Sequence, residues 1–171
     1  RYVACDTLML SVGLIPENEL SKRAGTDLSP VTGGPIVDED FQTSIPGIFA
    51  AGNALQVHDL VDHVSLEAEI AGQSAARYAD TGKGRPADIP VGVGRGLRYV
   101  VPQRISGTEA VDFSMRVTTP EKDRSIIFRR DGQVLRRLKQ SSLAPSAMIR
   151  VRVRAERFKG GNGELTVEVG E

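Results

Sequence analysis

The apolar residues of this chain change their spacing once. Up to about residue 81 they form short continuous runs or recur at three- and four-residue intervals; beyond residue 96 they alternate with polar residues almost to the end. Intervals of three and four put side chains on one face of a helix, whereas intervals of two put them on one face of a strand. A single uniform layer cannot satisfy both, so the pattern predicts two unlike parts. Between them TGKGRPADIPVGVGRG, residues 81–96, is rich in glycine and proline and reads as a connection. The expected division is a mixed α+β segment over residues 1–81, a linker over 82–96, and a small antiparallel, all-β sandwich-like domain over 97–171.

In the first part, Thr7–Val12 is a continuous apolar run of strand length ending at Gly13, the pattern of a strand covered on both faces. Pro16 and Glu17 then open a short helix to about Arg23, with Gly25 as its stop. Residues 35–44 predict two short strands around the acidic turn Asp38-Glu39-Asp40, and Ile48–Ala51 a buried strand ending at Gly52-Asn53. From Asp62 to Tyr78 the spacing of Val64, Ala68, Ala71, Ala75 and Tyr78 predicts a helix with a small-residue face and Asp62 as N-cap. Small residues at the end of a strand leave its backbone open to a bulky neighbour.

In the second part, Leu97–Val101, Val111–Thr118, Ser125–Arg129, Gln133–Leu138, Ile149–Arg154 and Glu164–Val169 read as strands. Val111, Phe113, Met115 and Val117 share one face, and Arg130-Asp131-Gly132 marks a hairpin. The rows of Arg129, Arg130, Arg136, Arg137, Lys139, Arg150, Arg152 and Arg154 alternate with apolar residues and read first as the solvent side of the sheet. An acidic partner surface is the sharper alternative.

Charge and cysteine usage exclude several functions. The 22 basic and 22 acidic residues cancel, so no general attraction to nucleic acid or anionic lipid is expected. Cys5 is the only cysteine in the sequence, which rules out an internal disulfide or a cysteine-built metal site and makes a cytoplasmic setting the default expectation. No apolar run approaches the roughly eighteen residues of a membrane span, and there is no secretory leader pattern. Starting at RYVACDTLMLSVG without methionine, the chain reads as a piece of a longer one.

Two stretches carry a resemblance. Cys5-Asp6-Thr7-Leu8-Met9-Leu10-Ser11-Val12-Gly13-Leu14-Ile15-Pro16, and then Ile36–Glu39 with Gln42-Thr43-Ser44-Ile45-Pro46-Gly47-Ile48-Phe49-Ala50-Ala51-Gly52-Asn53, resemble the closing FAD-binding segments of the pyridine nucleotide-disulfide oxidoreductase superfamily. The likeness covers about residues 3–80. It implies a fragment of a Rossmann-like FAD-binding domain at the front of the chain. It also implies FAD as cofactor, NAD(P)H as co-substrate, and hydride passed through the flavin to a second acceptor. Asn53, where most members carry aspartate, is implied to contact the ribityl or pyrophosphate portion of FAD, while Gly52-Asn53 as a plain turn remains the alternative. Amides near His63, Val64 and Ser65 are implied to face the flavin pyrimidine, where the positive end of the helix dipole favours negative charge. For the imidazoles of His58 and His63, packing or solvation is the expected role.

The glycine-rich fingerprints that cradle dinucleotide pyrophosphates are absent from the sequence, so the implied partner is the remainder of a flavoprotein chain, with other oxidoreductase subunits as further partners. By itself the chain is expected to be inactive. The competing hypothesis is a non-catalytic interaction module carried by the β-domain.

Overall fold

The structure is a computed structural model and describes residues 2–11, 13–161 and 163–171. Two helices, α1 (Glu19–Arg23) and α2 (Val61–Thr81), precede eight strands. These are β1 (Ile89–Val93), β2 (Leu97–Val101), β3 (Arg104–Ile105), β4 (Val111–Val117), β5 (Glu121–Arg130), β6 (Gln133–Leu143), β7 (Ile149–Val153) and β8 (Leu165–Gly170). The chain is thus mixed α/β, with one five-stranded sheet in the order β3-β1-β8-β5-β6 and one three-stranded sheet in the order β2-β4-β7.

The alternating residues of the second part do what their spacing predicts. Val111, Phe113, Met115 and Val117 on β4 join Phe128, Val151, Val153, Leu165 and Val167 in one apolar core drawn from both sheets, with Leu135 and Ile149 at its margin. At its centre the Phe113 and Phe128 rings lie 5.2 Å apart and tilted, and Phe158 meets Phe113 edge-on at 6.4 Å. The β5–β6 hairpin turns at Asp131 and Gly132, both at positive φ, as a two-residue turn matching the twist of its strands requires. Two strands were not expected: β1, formed by Ile89–Val93 of the supposed connection, pairs parallel to β8, and the two-residue β3 pairs with β1. Proline and glycine conceal the pattern of β1, and β3 is only two residues long.

β2 serves two cores. Leu97 and Val100 enter the sheet core, while Tyr99 and Val101 face a second cluster with Val37, Phe41, Leu55 and Ala71. A register shift between Leu97 and Tyr99 turns the strand so that both faces bury.

The first part departs from expectation in several places. Residues 7–11 form no strand, and Leu8, Met9 and Leu10 are 73–90% exposed. Among the described residues no strand pairs with them, so their backbone has no ladder to join; Val12 lies outside the described residues. The expected strands over 35–44 and 48–51 are reduced to single bridges, Val37 with Thr43 and Gln42 with Phe49. The tight turn between them is built by a side chain: Asp38 Oδ1 accepts hydrogen bonds from the Asp40 and Gln42 amides, each 2.9 Å.

Helix α1 is a single turn that begins at Glu19 rather than near Pro16. Helix α2 begins at Val61, and Leu60 occupies the N-cap position with no side-chain cap, so Asp62 is a first-turn residue and not the cap. The buried line of α2 is also rotated from the expected small-residue face: Glu67, Ala71 and Ser74 are buried, whereas Ala68 and Gly72 are exposed. Polar residues hold that line because the loop below supplies partners for Glu67.

Candidate flavin-edge site

Residues 43–53 fold as a turn over Ser44–Gly47, a single bridge at Phe49, and a 3-10 turn over Gly52–Ala54. Gly47 has φ +82°, and the edge of the Tyr78 ring lies 2.9 Å from where a Cβ would stand. Tyr78 also meets Phe49 edge-on, which ties this segment to the far end of α2. Gly52, at φ +67°, packs on the first part of the helix, with Val64 Cγ1 3.0 Å from a would-be Cβ. Glycine is required there on both counts, for the left-handed backbone and for the close approach.

Beneath this turn lies a polar knot that periodicity gives no hint of. Glu67, only 3% exposed, accepts the Gly52 amide on Oε2 at 3.1 Å and the Gln56 side-chain amide on Oε1 at 2.6 Å. His58 Nε2 lies 2.9 Å from the same Oε1, close enough for an ion pair but not aligned as a hydrogen bond. A buried carboxylate is tolerable only with such partners. On the other side, buried Asn18 donates to the carbonyls of Gly33 (2.8 Å) and Ala54 (2.9 Å). The motif glycine and its turn are therefore fixed from two directions.

The expected site residues separate into three groups. Gly52 and Val64 are in contact. Asn53 is exposed at the turn; its Oδ1 accepts the His58 amide at 3.1 Å, and among the described residues its Nδ2 has no partner. Ser65 turns its hydroxyl onto its own helix, to Val61 O at 3.2 Å, and the His63 ring lines a groove between α2 and strands β4 and β7, beside Leu66, Asp112 and Arg150. Because α2 starts at Val61, its first-turn amides are those of Val61–His63, and the His63 amide already reaches Leu60 O at 3.2 Å. Val64 and Ser65 stand just behind them. The side chains of Leu60 and Val61 are exposed, so this helix end is open.

The β-domain reaches into the same loop. Arg116 of β4 donates to Val57 O (3.0 Å) and Asp59 Oδ1 (2.5 Å), and Asp59 Oδ2 accepts the Met148 amide at 2.6 Å. Burial works against ionisation of Asp59, but the Met148 amide and the Arg116 guanidinium outweigh it and hold the carboxyl below its ordinary range. Burial raises the Tyr99 phenol despite the Arg116 Nε bonded to its oxygen at 3.1 Å. Arginines of the rows are occupied as well: Arg130 is buried and donates to Phe158 O and Gly163 O, each 2.9 Å, a correction to its solvent-facing assignment. Arg129 pairs with Glu168 at 2.7 Å and Arg152 with Asp112 at 3.3 Å.

The residues present suit the flavin end of FAD. Ala50, Ala51 and Gly52 offer little bulk, Asn53 offers an open amide donor, and the adjoining helix end is uncovered. Comparison with known proteins agrees on the family. The profile of the pyridine nucleotide-disulphide oxidoreductase family matches residues 1–96, more than half of the chain. The chain belongs to this family. Its members are FAD- and NAD(P)H-dependent oxidoreductases.

Among relatives, the thioredoxin reductase of Treponema pallidum is 34% identical over 83 residues, which are 47% of this chain and 26% of that protein. The ferredoxin–NADP reductase of Leuconostoc mesenteroides is likewise 34% identical over 83 residues, 46% of this chain and 24% of that protein. The nitrite reductase [NAD(P)H] of Neurospora crassa is 38% identical over 53 residues, 30% of this chain and 4% of that protein. The chain therefore spans about a quarter, or far less, of the length of these relatives. No solved structure matches it. Among the described residues, no helix is long and apolar enough to cross a membrane.

Proposed function

We propose that this chain supplies the ribityl and flavin-pyrimidine contacts of an FAD site in an oxidoreductase that passes hydride from NAD(P)H through FAD to a second acceptor. The observation that carries this reading is the motif turn itself: Gly52 at positive φ, packed on Val64, presents Asn53 beside the open first turn of α2. Asn53 Nδ2 is the donor for a ribityl or phosphate oxygen, and its Oδ1 keeps the loop in register through the His58 amide. The positive end of the helix is formed by the first-turn amides of Val61–His63, with Val64 and Ser65 directly behind them, and it favours negative charge at the adjacent cofactor edge. FAD, when bound, supplies the hydride chemistry; the chain's own residues orient and polarise it.

The sequence contains no glycine-rich pyrophosphate fingerprint, which supports a role alongside further residues of a larger flavoprotein. The division into residues 1–81, a connection over 82–96 and a sandwich-like domain over 97–171 is part of the same proposal, with β1 extending the last unit back to Ile89. The lone exposed Cys5 fits a reducing, cytoplasmic setting. The alternative is a non-catalytic interaction module carried by the β-domain; of its arginine rows, Arg129, Arg130 and Arg152 have partners within the chain.

The test is anaerobic addition of NADH or NADPH to the flavoprotein containing this chain, followed by absorbance. Bleaching of the bound flavin band is expected. A purified protein that retains no FAD, or whose flavin neither nucleotide bleaches, would overturn the proposal.

A further inference from the structure

We propose that Arg116 is a positioning residue through which the β-domain sets the start of α2, and hence the amides that polarise the flavin edge; the inference rests on the FAD reading above. All five N–H groups of its guanidinium have acceptors. Nε donates to the Tyr99 hydroxyl at 3.1 Å; Nη1 donates to Ser146 O at 2.5 Å and Pro145 O at 3.4 Å; Nη2 donates to Val57 O at 3.0 Å and Asp59 Oδ1 at 2.5 Å. The side chain is 12% exposed, so these bonds lie largely out of water. A planar fork filled in this way has one orientation, which a lysine ammonium cannot reproduce.

The position of the acceptors gives the fork its function. Asp59 directly precedes Leu60, the N-cap of α2, and its second oxygen is taken by the Met148 amide, so both carboxylate oxygens are held from the β-domain. Seven residues, 53–59, separate Gly52 from Leu60. One end of that loop is fixed by Glu67 and Asn18, and the other by Arg116 and Met148. The field of a helix end falls off within its first turn, so the direction of that turn decides what the helix does to a neighbouring charge. The strap is therefore a coupling between the β-domain and the cofactor edge, not a surface ion pair.

Two substitutions of opposite charge separate positioning from simple electrostatics. Arg116→Met removes a positive charge near the site and Asp59→Asn removes a negative one; acting by charge alone, they would move the flavin midpoint potential in opposite directions. Acting through the strap, both release the helix start and lower the potential, and both speed amide hydrogen exchange over residues 57–63 in the cofactor-free protein. Asp59 is partly exposed, so the asparagine variant folds even where Arg116→Met is damaging. Shifts of opposite sign, an unchanged potential in both variants, or unaltered exchange would overturn the inference. Wild-type protein that holds no FAD would overturn the functional reading instead, and the exchange measurement would still decide whether the strap exists.

Discussion

Asp38 shows how one side chain can build a turn at the expense of its own ionisation. Burial is the largest influence on its carboxyl; the Asp40 and Gln42 amides work against it, the charges of Asp40 and Glu39 add to it, and the pKa is raised from 3.8 to about 6. The folded chain thus holds this proton more tightly than the unfolded chain. Its contribution to stability is fully present below about pH 4 and is lost as pH rises through about 6, a swing on the order of 3 kcal/mol. Asp38→Asn keeps the Oδ1 acceptor and removes the charge. Denaturant melts should show it more stable than wild type by about 1–3 kcal/mol at pH 8 and equal to it near about pH 3.5. An advantage independent of pH would refute this assignment. Glu67 is a second buried acid, and its partners depend on it. Glu67→Ala leaves the Gly52 amide and the Gln56 side chain without acceptors and should cost about 2–5 kcal/mol in the same melts; a loss under about 0.5 kcal/mol would mean that water replaces the carboxylate freely. No periodic pattern marks this residue, because a lone acid on a helical face is assigned to solvent until its partner, fifteen residues back at Gly52, is known.

Among the elements, β4 and β7 were legible from strict alternation and Leu97–Val101 was placed without it, whereas β1 and β3 were not foreseen. β4 and β7 follow their spacing because every second residue enters the core shared by both sheets. Phe113→Ala should destabilise the β-domain by about 3–5 kcal/mol, while Arg152→Ala, at a side chain 68% exposed, should change stability by less than roughly 0.5 kcal/mol. Equal losses in thermal or chemical melts would show that the arginine row is an organised contact surface. By contrast, β1 was hidden by Pro90, Gly92 and Gly94, and its strand state comes from pairing with β8, more than seventy residues away. Residues 7–11 failed in the opposite direction: their apolar pattern is strand-like, but a strand needs a neighbour, and none pairs with them among the described residues. Helix α2 was evident from its spacing, yet its buried face was displaced toward Glu67 and Ser74 because the partner of Glu67 lies in a loop that local spacing does not describe.

For the whole molecule, the two parts are less independent than their textures suggest. β2 contributes to both cores, and Arg116 joins β4 to the loop that begins α2. The family motif located the turn at Gly52-Asn53, but only the fold reveals what holds it: Glu67 on one side and Asn18 on the other, with the β-domain fixing the far end of the loop at Val57 and Asp59. Asn53 is the proposed donor to the cofactor, so the decisive measurement is the FAD dissociation constant of the flavoprotein containing this chain, compared between wild type and Asn53→Ala by titration of the apoprotein. Loss of one hydrogen bond to a neutral or charged group, about 0.5–3 kcal/mol, predicts weakening from about twofold to more than a hundredfold. An unchanged dissociation constant in a variant that folds as wild type would contradict the account and leave Gly52-Asn53 as a turn alone.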